Sequence, residues 1–164
     1  MELSITNITL FASIILAGLS AGLFYAWQVS VIPGTIKISD ANYLFTMKSI
    51  NKEILNPAFF LIFFGSLIAM IAASFMTYGN GSAFWFVIAA LVVYFFGTFI
   101  VTSAGNVPLN NQLEALNLTQ LSAAQINEFR AMYEVKWNRL HFIRTAFSVI
   151  SFILILMAAL PFKG

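Results

Sequence analysis

The chain contains no cysteine, which excludes disulfides, thiolate metal sites and cysteine nucleophiles, and leaves cysteine usage silent on the redox compartment. Histidine occurs once, at His141. A zinc centre needs three or four N, S or O ligands, which one histidine without cysteine does not easily supply, so no metal site is expected. Bis-histidine haem within one chain is excluded as well; single-histidine haem is the one cofactor chemistry left open. Charge is also scarce. Of 164 residues, 9% are Asp, Glu, Lys or Arg and 60% are hydrophobic. A soluble domain could not cover its core with so few charges, whereas a helix bundle in lipid needs almost none over its outer surface. The net charge of +2 comes without a run of Lys and Arg, so nucleic acid is excluded as a partner. No glycine-rich phosphate loop and no serine-centred elbow occurs. The spans hold no second acidic residue for a proton relay, and no inverted repeat is visible, which argues against a pump or ion-coupled transporter. A cleaved signal peptide fits poorly, because the leader carries Glu2 instead of a basic residue and its apolar run is too long.

What is present falls into blocks. No Asp, Glu, Lys or Arg occurs in residues 3–36, 54–113 or 145–162, gaps of 34, 60 and 18 residues. A spanning helix needs about 20 residues, so these gaps hold one, two and one spans. The expected fold is all-α: an integral membrane bundle of four transmembrane helices in a single domain, residues 1–164, with an interfacial amphipathic helix between the first two spans and a long fourth helix extending beyond the membrane.

The first span is expected over 8–31, stopped by Ile32-Pro33-Gly34. Gly18 and Gly22 form a small-residue ridge that would let another helix approach closely. Over 39–55, Tyr43, Leu44, Met47, Ile50, Ile54 and Leu55 recur at helical spacing while Lys48, Lys52 and Glu53 fall elsewhere, the pattern of an amphipathic interfacial helix. Asn56-Pro57 then supplies an N-cap and a first-turn proline for a second span over 57–77. The uncharged turn Tyr78–Ser82 returns the chain as a third span over 83–101, followed by the polar stretch Asn106–Gln112, read as a loop. Ser122 and Gln125 make a capping box, with Leu121 and Ile126 as its hydrophobic staple. No breaker follows until Pro161, so one helix runs on, its part over 123–140 outside the membrane and its part over 141–160 spanning it. Lys37, Lys48, Lys52, Arg130, Lys136, Arg139 and Arg144 lie on the face of the two long loops, against Lys163 on the other. That seven-to-one bias puts the loops in the cytoplasm and both termini outside, as in a multi-pass plasma membrane or bacterial inner membrane protein.

Arg130, Glu134, Trp137, His141, Arg144 and Ser148 follow spacings of four and three, one stripe of the fourth helix entering the membrane polar side first. Ionisable groups at membrane depth usually face the bundle interior and serve a function. The competing reading makes Trp137 part of an interfacial aromatic belt and the arginines positive-inside anchors. Gln28, expected at the depth of His141, reads equally as a helix–helix hydrogen bond. Asn106, Asn110 and Asn111 read either as caps and turn closers or as site groups, three amides being more than one turn needs.

Together, Gly18-Leu-Ser-Ala-Gly22-Leu-Phe-Tyr25 running into Val31-Ile-Pro33, Ile50-Asn51 before Asn56-Pro57, Asn106-Val-Pro-Leu-Asn110 and Trp137-Asn-Arg-Leu-His141-Phe-Ile-Arg144-Thr145 resemble the anthrone oxygenase-like family of small four-span membrane proteins. The resemblance covers about residues 16–160 and implies that some relatives oxidise anthrones to anthraquinones with molecular oxygen, without metal or flavin. Such an oxygenase must turn an acidic C–H substrate into an electron-rich enolate. Within that resemblance His141 is the general base. Arg144, with Asn106, Asn110 or Gln28, holds the enolate oxygen. Trp137 and Tyr25 stack on a flat substrate, with Asn111 beside them. The expected partners are the bilayer and a hydrophobic planar small molecule. Two other readings stand beside this one: a non-catalytic accessory subunit, packing in a homo-oligomer or larger membrane complex through the glycine ridge, and a haem or quinone protein of electron transfer.

Overall fold

The computed structural model describes residues 4–160; Glu2, Pro161 and Lys163, used above, lie outside the described residues. The chain forms four helices long and apolar enough to cross a membrane: α1 (Ile5–Thr35), α3 (Pro57–Met76), α4 (Gly81–Ala115) and α5 (Ala123–Ala158). The shorter α2 (Asp40–Glu53) lies between the first two. Two starts were legible: Asn56 accepts the Phe59 N–H at 3.0 Å ahead of Pro57, and Ser122 with Gln125 forms the reciprocal capping box. The first helix begins at Ile5, ahead of the expected residue 8, because Ser4 caps it by accepting the Asn7 N–H at 3.2 Å. Each cap satisfies backbone donors that the first helical turn leaves unpaired. From there α5 runs 36 residues, about 54 Å at 1.5 Å per residue, far longer than the hydrocarbon is thick.

Two expected stops are corrected. α1 does not end before Pro33 but continues to Thr35, and α4 does not end at Val101 but continues through Asn106–Gln112 to Ala115. The reason is the same in both. Each helix widens into a π turn, Trp27–Val31 in α1 and Thr102–Asn106 in α4, with the Ile32 N–H bonding the Trp27 carbonyl five residues back. The shifted register restarts a fresh α turn, and Pro33 and Pro108 fall in its first positions, where a missing N–H costs little. A longer π stretch, Tyr94–Ile100, precedes the second of these.

α1 packs against α3 and α5, and α4 packs against α5 and α3, closing a four-helix ring. Phe11, Ile15, Leu19, Leu61, Ile68, Phe75, Phe96 and Ile153 remain exposed on its outside, a surface suited to lipid. Inside there are two apolar clusters. One, around Leu10, Met70, Val87, Tyr94 and Ile155, fills the half of the bundle that holds both described termini. The other, at the loop end, joins Tyr43, Leu44 and Met47 of α2 to Leu109 and Leu113 of α4 and Tyr133 and Trp137 of α5. The amphipathic helix is therefore a cap on the bundle, with Tyr43, Leu44 and Met47 of its apolar stripe buried against protein and Leu55, just past its end, exposed.

Arg130 fastens that cap. Its guanidinium donates to the Ile38 carbonyl at 2.6 Å, to the Ile36 carbonyl at 3.2 Å and to Asp40 and Glu134 at 2.9 Å each, and it lies 4.5 Å above the Tyr43 ring. Asn127 and Arg130 together hold the Asp40 carboxyl below the usual carboxylate range, while burial pushes the Tyr43 hydroxyl up.

Close approach of α4 to α5 depends on Gly97, where an added Cβ would lie 2.0 Å from the Phe147 ring. At Gly22 the same atom would meet nothing within 4 Å, whereas at Gly18 it would touch Phe152 at 3.0 Å. Gly97→Ala is therefore expected to lower the detergent unfolding temperature and the folded yield sharply, and Gly22→Ala to leave both unchanged; equal tolerance of the two would contradict this helix packing.

Candidate functional site

Between the two clusters lies a cavity with an empty volume of ≈ 610 Å³, the open solvent at its mouth included. Residues from every helix line it: Phe24 and Trp27 of α1, Asn51 of α2, Phe59 of α3, Thr102, Asn106 and Asn110 of α4, and Trp137, His141 and Arg144 of α5. The rim is apolar, with Leu55 and Val107 its exposed members at 63% and 41%. The two π turns that admit Pro33 and Pro108 also supply the wall, since Trp27, Thr102 and Asn106 belong to them. Such turns recur at functional sites because they displace side chains from α register.

His141 and Arg144 form the polar floor, both buried. Arg144 donates to the His141 Nδ1 from Nε at 3.0 Å and from Nη2 at 2.9 Å. A nitrogen accepting those bonds carries no proton, so Nε2 carries it and donates to the Phe24 carbonyl at 3.1 Å. The histidine is thus neutral, in one tautomer, with both ring nitrogens engaged. Arg144 also reaches the Thr102 hydroxyl at 3.5 Å and lies over the rings of Phe24, at 4.6 Å, and Trp137, at 5.2 Å. It has no carboxylate: the ion pairs among the described residues are those of Arg130 with Asp40 and Glu134. A buried cation without a counter-charge is costly unless something negative or strongly polar comes to it.

Trp137 stacks on the His141 ring, centroids 5.0 Å apart and planes 6° from parallel, and Trp27 leans on both at 5.8 and 6.3 Å. The Trp137 indole is locked by Asn110, whose Oδ1 accepts from Trp137 Nε1 at 2.9 Å and from the Tyr133 hydroxyl at 3.2 Å. Asn51 donates in turn to the Tyr133 oxygen at 3.2 Å. Asn106 donates from Nδ2 to the Trp137 carbonyl at 3.3 Å, which fixes its amide orientation and leaves Oδ1 buried with no partner. The cavity therefore presents an unpaired cation, an unpaired acceptor and an aromatic wall.

Of the residues singled out in the sequence, Trp137, His141, Arg144, Asn106 and Asn110 come together on the cavity. Three do not. Tyr25 is 57% exposed and points away, so the stacking position expected for it belongs to Trp27. Asn111 is exposed on the far side of α4, because the presumed loop is helical and turns successive asparagines about 100° apart. Gln28 is half-buried with an unpartnered Oε1 but is absent from the cavity wall. Phe24, Trp27, Asn51 and Thr102 were missed. Phe24 and Trp27, three apart, share a helix face, a spacing that could have preferred them to Tyr25; Thr102 gave no signal. Among the described residues no three His, Asp or Glu side chains cluster closely enough to hold a metal ion.

Fold and site together describe a bundle of four helices apolar enough to cross a membrane, with a cavity at its loop end lined by aromatic and polar side chains. Residues 59–154 match the family model for anthrone oxygenase. The match takes in more than half of the chain and both polar motifs of α4 and α5, so the chain belongs to the anthrone oxygenase family. No curated protein and no solved structure matches it.

The lock on Trp137 is testable. Asn110→Ala removes the acceptor shared by two buried donors, and a loss of roughly 1–3 kcal/mol is expected, with a changed near-ultraviolet dichroism from the released indole and unchanged helix content. An unaltered aromatic signal would contradict the assigned hydrogen bonds.

Proposed function

We propose that the cavity binds a flat, hydroxylated aromatic of the anthrone or phenol type and oxygenates it without a cofactor, Arg144 holding the oxygen on which negative charge develops. The observation that carries this reading is the buried guanidinium with no carboxylate, set in an aromatic-walled cavity whose other polar groups are uncharged. Family membership supports the same chemistry. An enolate oxygen supplies the missing counter-charge, and a donor placed where charge appears in the transition state is worth most in a dry site. The unpartnered Oδ1 of Asn106 suits a ligand hydroxyl, and the stacked Trp137–His141 pair suits a planar ring. The apolar rim at Leu55 and Val107 favours a ligand arriving from the bilayer.

The overall step balances as one anthrone plus one O₂ giving one anthraquinone and one water. The substrate C–H loses its proton to water at the mouth; the enolate then passes electrons to O₂. One oxygen atom ends in the new carbonyl and the other in water. In this account His141 positions Arg144 and is not the general base expected from the sequence, because its Nδ1 lone pair is occupied by the guanidinium and its Nε2 already bears a hydrogen. The loop end faces the cytoplasm in this reading, by the excess of basic residues there.

The test is anthrone consumption by the purified protein in detergent, with oxygen uptake and product absorbance measured in parallel. Wild type is expected to use one O₂ per quinone formed, and Arg144→Gln to lose about 10²–10³-fold in kcat. His141→Gln keeps an acceptor for Arg144 and a donor for the Phe24 carbonyl, so it should stay within about tenfold of wild type while His141→Ala falls well below it. Equal loss in both, with a kcat that follows one ionisation near pH 6.5 in wild type, would return His141 to the role of base. Absence of anthrone oxidation by wild type would overturn the oxygenase reading itself.

A further inference from the structure

The basic residues of the loop end can be sorted by what they already hold. Arg130 is spent on Asp40, Glu134 and backbone carbonyls, Lys48 donates to the Glu114 and Leu116 carbonyls at 2.9 and 2.8 Å, and Arg144 lies inside the cavity. Lys37, Lys52, Lys136 and Arg139 are left, all exposed and none in an ion pair among the described residues. Two of these four converge. Lys136 and Arg139 stand at the lip of a groove between α4 and α5 whose floor is Pro108, Leu109, Leu140 and Ile143. The groove lies on the opposite side of α4 from the cavity, since Asn106 and Asn110 face one and Pro108 and Leu109 the other.

The groove's position along α5 sets its depth. Arg139 precedes by five residues the last charged side chain of that helix, Arg144, beyond which the described part is uncharged to its end. The cations therefore sit where the polar part of α5 gives way to the part suited to hydrocarbon, and the apolar floor runs from them toward the latter. We propose that this groove binds one anionic phospholipid, its phosphate between Lys136 and Arg139 and an acyl chain along Leu140 and Ile143. Charge complementarity selects the headgroup: two unpaired cations about one helical turn apart suit a phosphate with net negative charge, and basic pockets between helices at the membrane surface are of the kind that recognises such lipids. An apolar floor beneath the cations suits a chain attached to the charge, which a free anion lacks.

Native mass spectrometry of the detergent-purified full chain, titrated with phosphatidylglycerol or phosphatidylcholine, tests this. One phosphatidylglycerol is expected to bind in preference to phosphatidylcholine, and the double variant Lys136→Ala/Arg139→Ala to weaken that binding about tenfold. The charge-matched control Lys37→Ala/Lys52→Ala should leave it unchanged. Both doubles alter only exposed side chains, and circular dichroism with thermal unfolding in detergent verifies that each is folded. Equal retention of the two lipids, equal loss in both doubles, or undiminished binding by the Lys136/Arg139 double would each overturn the proposal.

Discussion

A guanidinium taken out of water without a carboxylate partner carries a penalty of several kcal/mol, and the loop half of this bundle is organised around that penalty at Arg144. Three partial compensations are visible. The neutral imidazole of His141 accepts two of its N–H groups, the Thr102 hydroxyl lies at the limit of hydrogen-bond distance, and the faces of Phe24 and Trp137 offer cation–π contact. None of these carries charge. The cation is held in place but its field is not cancelled, which is the ground for proposing a ligand that brings a negative or strongly polar oxygen to the cavity floor.

The surroundings follow from that need. Orienting His141 requires a backbone carbonyl, and the carbonyl of Phe24 meets its Nε2 just before the π turn of α1. Keeping Trp137 flat on the imidazole requires an acceptor for its indole, supplied by Asn110 on the turn that follows the π segment of α4. Both π turns therefore serve twice, carrying side chains to the cavity and letting a proline pass without ending its helix. Gly97 then allows α4 to lie close enough to α5 for these contacts to form.

The fold was largely legible because lipid imposes a coarse rule, long uncharged runs between charged blocks, and because caps such as Asn56-Pro57 and Ser122–Gln125 have local signatures. The stripe Trp137–His141–Arg144 was legible for the same reason: period 3.6 is printed in the spacing. What could not be read were departures from that period. Pro33 and the polar Asn106–Gln112 run look like stops, since nothing in the residues announces a π turn that moves a proline into first-turn register. Tyr25 was preferred to Trp27 because a one-residue choice of face needs the neighbouring helices to decide it. The basic count also changed meaning: Arg130, Lys48 and Arg144 serve the fold or the cavity, which leaves Lys37, Lys52, Lys136 and Arg139 as the cations open to a membrane surface.

The acidity of a bound ligand tests the central claim most directly. A hydroxyanthraquinone changes colour when its phenol ionises, so its apparent pKa can be read by absorbance in the presence of the protein and in empty detergent micelles. An apolar cavity alone raises a phenol pKa, whereas an uncompensated buried cation beside the oxygen lowers it. The account predicts a lowered value for the bound dye, abolished in Arg144→Gln; a value raised on binding, or unaffected by that substitution, would contradict it.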